Sequence, residues 1–225
     1  MQRRQFTGTL WAAAALGISP QAWAQLSQAD AAAGIRLALE KGAVAAVALL
    51  GKTDGFLGNP KVKIPLPSGL EQAAGVLKMT GQSKKVDQLV TSMNRAAEMA
   101  VPEAQVLLVD AAKSISVDDA LKIVRGGDTS VTDYFAGKTR KPLGAKFLPI
   151  VTKATEKVSL AEQYNAVAGQ AAGFGLVKKE DANIQQYVTS KALDGLYLMI
   201  GEEERKLRAN PAQAGSDLLK KLFAK

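Results

Sequence analysis

The 225 residues include no cysteine and no histidine, which removes disulfides, thiol nucleophiles, thiolate or imidazole metal ligands and any Ser-His-Asp arrangement. Acid–base chemistry is left to Asp, Glu, Lys and Tyr, and any metal would be a hard cation such as calcium or magnesium held by oxygen. Lys and Arg number 29 against 21 Asp and Glu, a formal net charge of +8.

The first 24 residues read as a cleavable signal peptide. Arg3 and Arg4 precede the apolar run LWAAAALGI, and Ala22-Trp23-Ala24 supplies the small-residue cleavage pattern. The run is shorter than the roughly 20 residues of a membrane span. RRQF resembles the twin-arginine signal, with Gln2 in place of the usual hydroxyl residue. Together these predict a periplasmic protein, exported by the twin-arginine or general secretory route and cut after Ala24. A single domain over 25–225 follows, with no transmembrane segment in the mature chain. Without Arg3 and Arg4, 27 cations face 21 anions, a net +6 spread along the chain. That suits a soluble surface and admits attraction to anionic lipid. Nucleic acid is a poor fit, because aromatic residues interleaved for base stacking are absent.

From there apolar residues recur at helical spacing between Gly and Pro punctuation. Ser27 caps an Ala-rich helix to about Leu50, with Ile35, Leu39, Val44, Val47 and Leu50 as apolar positions. GKTDGFLGNPKVKIPLPSGL follows, and its three prolines and four glycines predict one long irregular loop, 51–67. Helices are expected over about Ser68–Met79 and Ser83–Ala100, with Pro102 in the first turn of another through about Lys113. Ser116 and Asp119 suit a capping box for a short helix to Arg125, ended by Gly126 or Gly127 in the left-handed conformation. Asp128 is placed to cap a helix through about Ala136, and further helices cover 142–157 and 159–171. A GFG turn near residue 174 leads through Asp181 or Asn183 into a helix over about 184–208. Its LDGLYLMI is apolar on nearly every side, which marks it as the central buried helix. Near its end Glu202 with Arg205 and Lys206, and Glu204 with Arg208, read as pairs on a solvated face. Asn210-Pro211 stops it and SDLLKKLF closes the chain as a short amphipathic helix. No stretch alternates with period two. The expectation is an all-α, single-domain bundle of about eight to ten helices.

Three motif likenesses fail on context. Gly126-Gly127-Asp128 lacks the acidic residue and Phe of the cyclic-dinucleotide synthase signature. The glycines at 169, 173 and 175 follow no strand and stand too near Tyr187 and Lys191 for a dehydrogenase. Asp54-Gly55 near Asn59 has too few acidic ligands for an EF-hand. The carboxylates remain. Asp128 and Asp133 point about 140° apart on a helix, so Asp128 serves better as a cap than as half of an ion site, with Thr129 an ordinary first-turn residue. Asn94 and Glu98 share one face beside Arg95, among Met93, Ala96, Ala97 and Ala100, which makes them a buried hydrogen-bond network or a site. Lys191 and Asp194 form an i,i+3 pair that needs itself or a third partner. Asp133 and Lys138 raise the question of a shared pocket.

Four stretches, DGFLGNPKVKIPLPSGL (54–70), SMNRAAEMAVPEA (92–104), GGDTSVTDYFAGKTR (126–140) and YVTSKALDGLYLMIGEEERKLRANP (187–211), occur in the order of a bacterial exported-protein family catalogued as a domain of unknown function. The resemblance covers Leu26 to Phe223. Gly201 stands where that family often has Ala, and Gln213-Ala214-Gly215-Ser216 replaces a more Arg/Thr-rich approach to DLLKK. The resemblance implies an exported helical protein and carries no activity with it. It implies that Asp54, Asn94, Arg95, Glu98, Asp128, Thr129, Asp133, Lys191 and Asp194 belong to a shared pattern able to converge on one pocket. With Lys138 they are the candidate ligand-binding residues.

The function expected is that of a non-enzymatic envelope binding or interaction protein, taking a small ligand, lipid or envelope protein in a polar pocket between helices and using no cofactor. The alternative is a carboxylate-based enzyme, Mg- or Ca-dependent, acting on an envelope substrate.

Overall fold

Helical periodicity carries through almost all of the described chain. The computed structural model describes residues 26–173 and 183–223. Within them lie α1 (Gln28–Leu50), α2 (Ser68–Met79), α3 (Ser83–Ser114), α4 (Ala120–Val124), α5 (Ser130–Lys157), α6 (Leu160–Gly173), α7 (Ile184–Ala209), a 3-10 turn at Pro211–Gln213, and α8 (Asp217–Phe223). The fold is all-α, with no strand among the described residues. The leader, Phe174 and Gly175 of the GFG turn, and Asp181 lie outside them.

The four long helices form a ring in which α1 packs on α3, α3 on α5, α5 on α7 and α7 again on α1. Neighbours run antiparallel. Glu40 pairs with Lys113 while Gly51 meets Pro102, and Ser130 lies by Arg208 while Arg140 pairs with Asp194. The short helices sit outside this ring: α4 and α8 against α1, α2 and α6 against α3. As expected, Ser27 caps α1, its hydroxyl accepting from the Asp30 N–H, and Asn183 caps α7 in the same way from Gln186. LDGLYLMI is buried except at Asp194 and Leu198.

Two of the prolines, Pro102 and Pro142, depart from expectation. Pro102, Pro142 and Pro149 all lie inside helices, so α3 and α5 each run through a position where the sequence suggests a break. An interior proline removes one helical hydrogen bond and costs about 3 kcal/mol. Burial along both sides of each proline offsets it: Ala100, Val101 and Ala104 around Pro102, Leu143, Phe147 and Val151 around the other two. Two further departures surround the GGD stretch. Neither Gly126 nor Gly127 is left-handed. Gly126 is needed for close approach instead, since a Cβ there would meet the Ser130 side chain at 2.7 Å. The Ser116–Asp119 box does not form; the Ser116 hydroxyl donates to Asp118 at 3.1 Å, and α4 begins without a side-chain cap.

The irregular segment 51–67 is packed. Phe56, Val62, Ile64 and Leu66 are buried, and the segment crosses the ring between its diagonal members α3 and α7. Gly195 of α7 makes room for the Phe56 ring, because a Cβ there would lie 2.8 Å from the ring and 3.3 Å from Val62.

Two expectations follow. Gly195→Ala should destabilise by about 1–3 kcal/mol despite alanine's better helix propensity, whereas Gly137→Ala, with open space at its Cβ, should stabilise by up to about 1 kcal/mol. Urea titration measures both. Burial also raises the Tyr197 hydroxyl pKa, against lesser opposing effects of the Thr139 hydrogen bond and Arg140. The unfolded chain releases this proton near pH 10 while the folded chain still holds it. Stability is therefore full below that pH and falls as pH rises beyond it. Tyr197→Phe should flatten the alkaline decline of the urea midpoint.

Candidate functional site

The SMNRAAE stretch faces the crossing segment, and two of its side chains, Asn94 and Glu98, bind that segment's backbone. Asn94, fully buried, accepts from the Ile64 N–H at 2.8 Å and donates to the Ile64 carbonyl at 2.9 Å, as an adjacent strand would. Its second amide hydrogen goes to the Val90 carbonyl at 2.8 Å. Glu98, 4% exposed, takes the N–H groups of Phe56 and Leu57 on one oxygen, both at 3.0 Å. Arg95 donates to the other at 2.6 Å and reaches Asp54 at 2.8 Å. Glu98 first and Asp54 second raise the Arg95 pKa above its ordinary value. The same side chains thus hold the segment that seats Phe56.

A second carboxylate does equivalent work where α5 begins. One Glu204 oxygen accepts from the Val131 N–H at 3.1 Å, and the other from the Thr132 N–H and hydroxyl at 2.8 and 2.7 Å. Arg208 clasps Glu204 at 2.9 and 2.7 Å and also donates to the Val124 carbonyl and the Ser130 hydroxyl. Glu204 is buried and Arg208 half-buried where the sequence suggests a solvated face. The cap of α5 is therefore Glu204 from a distant helix and not Asp128, which is exposed and precedes the cap position at Thr129. Thr129 donates to Asp133 at 3.0 Å, a local bond on the surface.

The other candidates lie elsewhere. Asp194 pairs with Lys191 at 3.7 Å and gains Arg140 of α5 as a third partner. Glu98, Asp128, Asp133 and Asp194 thus occupy separate places. No group of three or more carboxylates able to hold a metal ion occurs among the described residues.

Lys138 alone of the candidates faces a cleft between α3 and α5. The cleft encloses about 400 Å³, with Leu107, Ala111, Ile115 and Leu143 among its apolar lining. Asp110 and Asp118 line it from α3 and the α3–α4 connection, Lys138 and Lys146 from α5. None of these four makes an ion pair among the described residues. Tyr134 lies at the end, donating to the Ser116 carbonyl at 2.7 Å, with the Lys138 ammonium 5.7 Å from its ring. Asp133 is not among the lining residues, so it does not share this cleft with Lys138.

Local sequence reading misses Glu204, Arg208, Asp110, Asp118 and Lys146. Glu204 had a signal: Leu193, Leu196, Tyr197 and Ile200 lead to it at helical spacing, so the buried stripe of α7 runs into a carboxylate. The cleft residues have none, because α3 and α5 meet only in the fold.

An all-helical ring with buried carboxylate clasps and an amphipathic cleft defines the class of protein. Over residues 25–224 the chain matches the family described as a protein of unknown function, DUF4197, and it belongs to that family. No curated protein and no solved structure matches it significantly.

Glu98→Gln should destabilise by roughly 2–4 kcal/mol, leaving Arg95 without its buried partner. Limited proteolysis should then open 51–67 first. Glu204→Gln should cost as much and open the chain around 126–131 instead, with 51–67 protected.

Proposed function

We propose that this chain is an exported envelope binding protein whose ligand occupies the α3–α5 cleft. The ligand is a small amphipathic molecule with charge of both signs at its polar end. One observation carries this: two unpaired lysines from one helix face two unpaired carboxylates from the other wall, over buried Ile115 and Leu143. A volume of about 400 Å³ fits a single small molecule, in the range usual for ligand clefts. Its apolar part lies along Leu107, Ile115 and Leu143, and its charged groups meet Lys138 and Lys146 on one side and Asp110 and Asp118 on the other. Of the sequence candidates, Lys138 touches the ligand in this proposal. Asn94, Arg95, Glu98, Asp128, Thr129, Asp133, Lys191 and Asp194 support the frame around it.

The leader supports export, with cleavage after Ala24 and a mature single domain over 25–225. Native mass spectrometry of protein taken from its own periplasm tests both parts. The expected result is a chain beginning at Gln25 with a retained non-covalent mass. Lys138→Glu combined with Lys146→Glu should lower that occupancy by about tenfold or more at unchanged urea midpoint, since both side chains are exposed. A wild-type chain that arrives without bound mass, or a double variant that retains it fully, counts against the cleft.

A further inference from the structure

Helix α5 carries six cations, Lys138, Arg140, Lys141, Lys146, Lys153 and Lys157, against two carboxylates, Asp133 and Glu156. That is a net +4 within one helix, where residues 25–225 together carry +6. The excess read as spread along the sequence is concentrated here, because Pro142 does not divide the helix. By contrast α7 places each of Lys191, Arg205, Lys206 and Arg208 three or four residues from a carboxylate and ion-pairs it. On α5 only Arg140 is paired, by Asp194 of α7. The five lysines are exposed and form no ion pair among the described residues.

Their spacing makes a ridge. At 100° per residue Lys138, Lys146, Lys153 and Lys157 fall within about 100° of one another, with Lys141 about 60° to the other side. From Lys138 to Lys157 is about 28 Å along the axis. The exposed residues between them include Pro142, Ala145 and Pro149, which are uncharged and expose little polar side chain. Opposing charge is sparse: Glu156 lies in the ridge, Asp133 is bonded to Thr129, and Asp110 and Asp118 stand across the α3 cleft. On the ridge's other side a cleft of about 310 Å³ between α5 and α7 sets Arg140 and Lys141 beside Leu148 and Leu193.

We propose that this ridge docks on an anionic phospholipid bilayer. Lysines near such a surface each add attraction, and their flexible stems reach the head groups while the small residues between them let the helix lie close. The apolar-lined clefts on both sides continue the contact. A single-stranded nucleic acid would gain from aromatic faces for its bases, and the ridge offers one tyrosine whose ring lies under Lys138. The proposal is independent of the ligand in the α3–α5 cleft.

Co-sedimentation with vesicles decides it. The full chain, less its leader, should bind phosphatidylcholine vesicles containing about a third phosphatidylglycerol, ignore pure phosphatidylcholine, and release at roughly 0.5 M salt. The triple substitution Lys141→Gln, Lys153→Gln, Lys157→Gln, which spares both cleft lysines, should lower partitioning by about tenfold or more. Lys52→Gln, Lys84→Gln, Lys122→Gln removes the same charge from exposed positions elsewhere and should lower it far less. Equal losses in the two triples, salt-independent binding, or binding to a soluble polyanion without binding to vesicles would each overturn the proposal.

Discussion

Glu98 and Glu204 each bring a carboxylate into a place that water barely reaches, and a charge there is tolerated only when donors surround it. Each meets this demand with two successive backbone N–H groups and an arginine. The demand fixes geometry. Glu98 dictates where the segment between α1 and α2 must lie, and Glu204 dictates where α5 must begin. Most of the rest of the ring is apolar packing, which by itself accepts many neighbouring arrangements. The two clasps select one of them.

From this follows the division of labour among the polar residues. Asn94, Arg95 and Glu98 have the composition of a reaction centre, yet Asn94 and Glu98 bond to the backbone of 56–64 and Arg95 ties Glu98 to Asp54. The exposed lysines of α5 and the two aspartates opposite them are left without ion-pair partners among the described residues. Binding capacity therefore gathers along α5, on its cleft and on its ridge, while the side chains that look most chemical hold the scaffold still. Buried charge is thus spent on the frame, and the lysine charge on the surface of α5 is left free.

Much of the frame is legible in the sequence, because helical periodicity and caps are local properties. α1, α2 and α7 have the ends that Ser27, Met79 and Asn183 suggest, and Phe56 and Ile64 mark the irregular segment as one with something to bury. The failures share a cause. Pro102 and Pro142 look like helix starts until the buried residues on both sides override the lost hydrogen bond. Asp128 looks like a cap until Glu204 arrives from 72 residues away to serve Thr132. Of the candidate site, Asn94, Arg95 and Glu98 are recognisable as one polar group in an apolar helix. Across the segment, Asn94 and Glu98 meet backbone atoms, which carry no residue identity to read. The α5 ridge escapes notice for a simpler reason: taken as two short helices, its lysines have no common axis.

The segment 51–67 also sets an order of assembly. Phe56 rests against Gly195, so two surfaces nearly a whole domain apart in sequence must meet before the ring is closed. Growing from the N-terminus, the chain has α1, the segment and α3 available early, and Glu98 can take the Phe56 and Leu57 N–H groups among them. The aromatic ring itself stays without a seat until α7 is made. Closure therefore comes last and depends on a long-range contact, the kind that slows folding. Until that last long helix is in place, the unfinished ring keeps one side open.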